Sequence, residues 1–66
     1  MKLLKELRQK KGLTQAQLAR VLCVSQTMIS QYEKGERTPT LKRAKVLAGY
    51  LGVSLDDLMA EDNREI

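Results

Sequence analysis

Residues 26–34 read Gln-Thr-Met-Ile-Ser-Gln-Tyr-Glu-Lys. Stepped around a helix from Ile29, Thr27, Ser30, Gln31 and Lys34 share an arc of roughly 100° on the opposite side. Three are uncharged and polar, one is basic and none is acidic. Gln26 sits at the tip of the same segment, where it also points outward. A glutamine amide carries a donor and an acceptor side by side and pairs with the N6 and N7 edge of adenine. Serine and threonine hydroxyls bond to several base edges, and a threonine methyl touches that of thymine. The set therefore has the chemistry to read a DNA major groove. It equally suits an ordinary solvated helix face, and this arc by itself fits both.

Groups able to reach phosphate surround the segment. Gln15 stands at the start of the preceding helix, where unpaired backbone N–H groups and the helix dipole favour an anion. Ser25 and Lys34 bracket the reading segment, Arg37 lies in the loop after it, and Lys42 and Arg43 open the next helix. These six form the candidate backbone-gripping set. Each Lys or Arg serves solubility just as well.

The elements that position these groups follow from caps and apolar spacing. Leu3, Leu4 and Leu7 predict a first helix that stops near Gly12. Thr14 and Gln17 make a capping-box pattern for a second helix, with Leu18, Ala19 and Leu22 on its inner face. Cys23-Val24-Ser25 leaves room only for a tight turn, and Ser25 caps a third helix closed by Gly35. Residues 36–39 form a loop, with Pro39 holding Thr38 out of helical geometry. Thr40 caps a fourth helix whose stripe is Leu41, Ala44, Leu47, Ala48 and Leu51. After Gly52, Ser54 and Asp57 make a second capping-box pattern for a short helix containing Leu55, Leu58 and Met59. The expected organisation is one domain over 1–60 and a polar tail over 61–66. Five helices with a three-residue turn between the second and third are the arrangement of a helix-turn-helix.

Composition narrows the function classes. A chain of 66 residues buries only about 60% of its unfolded surface, enough for one small core and too little for a deep cleft. The net charge of +4 suits a polyanionic partner. No His and a single Cys argue against a zinc site, against a catalytic role for Cys23 and against an internal disulfide. No catalytic residues, metal, cofactor or small-molecule substrate are expected, and Asp56 and Asp57 read as charges at a helix N-terminus. With neither a secretory signal nor an apolar run of membrane-spanning length, the chain reads as cytoplasmic and away from membranes.

The run Gly12-Leu13-Thr14-Gln15-Ala16-Gln17-Leu18-Ala19, continued by Val24-Ser25-Gln26-Thr27-Met28-Ile29-Ser30-Gln31-Tyr32-Glu33-Lys34-Gly35, resembles the phage repressor and Cro type of helix-turn-helix domain, the XRE family. The likeness extends over roughly residues 2 to 60. It implies an all-α fold, a compact five-helix lambda-repressor-like domain, with the third helix docked in the major groove. By position it implies base-facing roles for Gln26, Thr27, Ser30 and Gln31, and a phosphate contact for Gln15. Ala19 matches the small residue between the second and third helices, and Ile29 the buried residue of the recognition helix. Arg8 and Glu33 match a pair that often bridges the first and third helices. Glu33 lies about 40° from Ile29 around that helix, on the inward side where a carboxylate needs a partner. One position departs from the pattern: Cys23 stands where a left-handed glycine is usual, and a side chain there costs roughly 1–2 kcal/mol.

The resemblance implies a sequence-specific regulator of transcription on double-stranded DNA, of repressor/Cro-like or restriction-modification controller type, binding a near-palindromic operator as a homodimer. Val46 with Tyr50, or Leu55 with Met59, are candidate dimer patches, although burial within the monomer is the first expectation for each. The alternative is an antitoxin or other protein-interaction module on the same fold.

Overall fold

The computed structural model describes residues 1–60, so the expected tail 61–66 lies outside the described residues. Five helices occupy that span: α1 (Lys2–Lys10), α2 (Gln15–Leu22), α3 (Gln26–Lys34), α4 (Leu41–Leu51) and α5 (Leu55–Met59). Among the described residues there is no strand.

Local side-chain bonds set where α2 to α5 begin. Thr14 Oγ1 accepts from the Gln17 amide at 3.1 Å, and Gln17 Oε1 accepts from the Thr14 amide at 2.8 Å, so both halves of the box are formed. Ser25 Oγ accepts from the Met28 amide at 3.2 Å, and Thr40 Oγ1 from the Arg43 amide at 3.3 Å. Ser54 Oγ accepts from the Asp57 amide at 3.0 Å. The sequence predicts a reciprocal box there too, but among the described residues only the Ser54 half forms. An aspartate is one methylene shorter than the Glu or Gln that closes a box. Each such cap contributes about 1 kcal/mol.

The end of α2 shapes the site. The Val24 amide donates to the Ala19 carbonyl at 3.0 Å and the Cys23 amide to the Arg20 carbonyl at 3.3 Å, the Schellman pattern. That pattern needs a left-handed residue, and Cys23 supplies it with φ 59° and ψ 42°. It is the one non-glycine with positive φ among the described residues; glycines occupy the equivalent place after α1, α3 and α4. The departure noted in the sequence is therefore absorbed as local strain, without a change of turn.

Leu4 of α1, Leu18 and Ala19 of α2, Ile29 and Tyr32 of α3, Leu47, Ala48 and Leu51 of α4 and Leu58 of α5 make one core, with Met1 beside them. Apolar burial of this kind supplies most of a small domain's stability. Ala19, with only a methyl group, is buried in that core.

Three expected core positions fall outside. Leu41 is 63% exposed, although the spacing puts it on the stripe of α4. Periodicity fixes the face of a helix but not how far along it the core reaches, and Leu41 is the first residue of α4. Val46 and Tyr50 are 44% and 42% exposed, which corrects the expectation that both are buried in the monomer. The Lys11 ammonium lies 5.6 Å from the centre of the Tyr50 ring, a cation–π contact. Leu55 and Met59 are half-buried, Met59 against the core.

Candidate nucleic-acid interface

The outward face of α3 carries no acidic group. Gln26, Thr27 and Lys34 are exposed, and Ser30 and Gln31 are half-buried at its flank. Ile29 and Tyr32 are buried on the opposite side and fix the rotation of the helix. Gln26, Thr27 and Lys34 therefore stand outward, with Ser30 and Gln31 at their edge, because Ile29 and Tyr32 are anchored inward.

Glu33 is the acidic residue of α3, and it is turned away from that face. Its Oε2 accepts from Arg8 Nε at 2.6 Å, with side chains 10% (Arg8) and 4% (Glu33) exposed. Its Oε1 accepts from Gln15 Nε2 at 2.9 Å and from Arg8 Nη2 at 3.4 Å. Arg8 Nη1 also donates to the Leu13 carbonyl at 2.7 Å. One carboxylate thus joins α1, α2 and α3. Paired and hydrogen-bonded, its charge is tolerable away from water.

Gln15 consequently has a partner that sequence reasoning missed. Its amide is engaged by Glu33 across 18 positions, and no local rule reports a contact of that span. The first-turn amides of Gln15 and Ala16 have no acceptor among the described residues and remain suited to an anion. Ser25 Oγ accepts from the Met28 amide, which leaves its O–H to donate.

Arg37 likewise has an unforeseen contact. Its Nε donates to Gln31 Oε1 at 3.1 Å. The backbone puts it there: the amides of Glu36 and Arg37 both reach the Gln31 carbonyl, at 2.9 and 3.3 Å. Lys42 and Arg43 gather elsewhere, along a groove shared with Val21, Leu22, Cys23, Thr40 and Val46 beneath the α2–α3 turn. The structure therefore makes two basic positions, one at the C-terminal end of α3 and one below the turn.

Also at the C-terminal end of α3, the Met1 amino nitrogen donates to the carbonyls of Tyr32 and Glu33, at 2.8 and 3.2 Å. A cation at the last turn of α3 complements its dipole. Cys23 is a free, exposed thiol. Among the described residues, no group of three or more His, Cys, Asp or Glu side chains is placed to hold a metal, and no helix is long and apolar enough to cross a membrane.

Residues 4–58 match the helix-turn-helix family model. The chain belongs to the XRE-type helix-turn-helix family. It is 40% identical over 57 residues to the HTH-type transcriptional activator BcrR of Enterococcus faecalis, covering 86% of this chain and 28% of that protein. It is 39% identical over 54 residues to an HTH-type transcriptional regulator of Methanocaldococcus jannaschii, covering 82% of each chain. The chain therefore spans little more than a quarter of the first relative and most of the second. No solved structure matches it. Within this family of DNA-binding transcription regulators, α2 and α3 are the helix-turn-helix, joined through Cys23, Val24 and Ser25.

Proposed function

We propose that this XRE-type domain regulates transcription by recognising a specific double-stranded DNA operator with α3 in the major groove. The observation that carries the reading is the acid-free outward face of α3, with its single carboxylate withdrawn into the Arg8 pair. Gln26, Thr27, Ser30 and Gln31 read base edges. Gln15, Ser25, Lys34, Arg37, Lys42 and Arg43 hold the phosphate backbone on either side.

A single module of this size makes few base contacts, so two copies acting on a near-palindrome follow naturally. Half-sites one helical turn apart, about 34–36 Å, are the spacing for such a pair. Val46 and Tyr50, left exposed on α4, are the better candidate for the contact between copies, since Met59 packs on the core. Whether the operator is repressed or activated then depends on where it lies relative to the promoter.

The test is a selection from random duplex DNA at about 150 mM salt, followed by titration of the winners. A near-palindrome is expected. Lys34, Arg37, Lys42 and Arg43 amount to eight cations per dimer and give a salt slope of about −7 if all meet phosphate. Weak binding without any motif would refute sequence-specific recognition and point to a protein partner instead.

A further inference from the structure

We propose that Arg37 sets the base preference of Gln31 by fixing which face of its amide meets the groove. The inference rests on the reading of α3 as the recognition helix. Its physical basis is the hydrogen bond from Arg37 Nε to Gln31 Oε1 at 3.1 Å.

A guanidinium has donors only, so its partner on Gln31 must be the amide oxygen; chemistry assigns the orientation. The contact is also anchored through the main chain. The Gln31 carbonyl receives the amides of Glu36 and Arg37, so the loop folds back over the end of α3 and brings Arg37 to the reader. Side chain and backbone together place one arginine on one glutamine.

The consequence concerns hydrogen-bond polarity. An unrestrained glutamine presents an acceptor and a donor and matches adenine, which offers the N6 donor and N7 acceptor. With its oxygen directed at Arg37 by that bond, Gln31 turns the other end of its amide, the –NH2 group, toward the groove. Guanine, whose N7 and O6 both accept, matches that surface, whereas adenine needs the oxygen turned to its N6 amino group and is disfavoured. Arg37 keeps its terminal Nη groups, which reach outward to a phosphate while Nε stays on Gln31. It therefore acts twice, as a backbone grip and as a positioning residue for a base reader.

The experiment is the same duplex selection run on the parent chain, on Gln31→Ala and on Arg37→Ala. Gln31→Ala identifies the base pair that residue 31 reads, as the position whose preference disappears. At that position the parent is expected to favour guanine. In Arg37→Ala the guanine-to-adenine ratio should fall by roughly tenfold, within the discrimination of one bidentate pair. Other positions of the motif should keep their preferences. An unchanged ratio, with affinity lowered equally for every base, would overturn the inference and leave Arg37 as a phosphate contact only. A parent preference for adenine at that position would overturn it as well. Absence of any motif for the parent chain would overturn the recognition-helix reading itself. Arg37 is exposed, so its truncation does not threaten the fold.

Discussion

Arg8→Ala is expected to cost this domain most of its stability without altering a single residue on the outer face of α3. The side chain is 10% exposed and holds Glu33, itself 4% exposed, through two N–H groups, and the Leu13 carbonyl through a third. Truncation leaves a carboxylate away from water with only Gln15 as a partner. Breaking a buried pair in this way costs about 3–5 kcal/mol. The orphaned Leu13 carbonyl adds about 1 kcal/mol. A chain of 66 residues has a total stability of roughly 3–10 kcal/mol, so the variant should be largely unfolded or melt far lower. Each kcal/mol shifts Tm by about 4–8 °C in a domain of this size. The assay is thermal and urea unfolding followed by circular dichroism. A second variant, Arg8→Met with Glu33→Leu, separates the pair from its charges. Apolar replacement of both partners removes the stranded carboxylate and should recover most of the loss. A deficit below about 1 kcal/mol for Arg8→Ala would place the pair among ordinary surface salt bridges and refute the reasoning.

Cys23→Gly should stabilise the fold by about 0.5–1 kcal/mol in urea titration, because relief of left-handed strain exceeds the added entropy of the unfolded chain. A loss of stability would mean that the thiol makes a contact worth more than the strain. Gln26→Ala is expected to lower affinity for the selected operator by about 1–3 kcal/mol while leaving random-duplex binding nearly unchanged; equal losses on both would remove it from base reading. Arg43→Ala should weaken operator and random DNA alike and reduce the salt slope by about 0.9 per copy bound, as measured by fluorescence anisotropy across a salt series. Val46→Glu should leave the unfolding free energy within about 0.5 kcal/mol of the parent, since the residue is exposed. It should also abolish the preference for paired over single half-sites, and retention of that preference would place the contact between copies elsewhere.

The sequence exposed what depends on short range. Thr14, Ser25, Thr40 and Ser54 cap helices where expected, because a hydroxyl and the amide three residues on are brought together by a single turn. Ile29 and Glu33 are buried on α3 as their angular positions imply. Apart from Arg8 with Glu33, which the family resemblance implied, contacts between distant positions carried no such signal. Gln15 on Glu33 depends on how α2 lies against α3, and Arg37 on Gln31 depends on the path of a loop. Leu41, Val46 and Tyr50 are more exposed than their spacing implies for a related reason. Apolar character says that a side chain gains from cover, whereas cover itself depends on which neighbours reach it.

The inner side of α3 is packed and the outer side, proposed to meet DNA, is not, and that separation bears on how such a domain changes its target over generations. Ile29, Tyr32 and Glu33 are turned inward and hold the helix in place, while Gln26, Thr27 and Lys34 are exposed and Ser30 and Gln31 lie at the flank. Domains sit only slightly above the stability they need, and most substitutions in a core push them below it. Substitutions on the outer side escape that constraint. On the proposed reading, a lineage can therefore exchange the outward residues one at a time and acquire a new operator through intermediates that all remain folded.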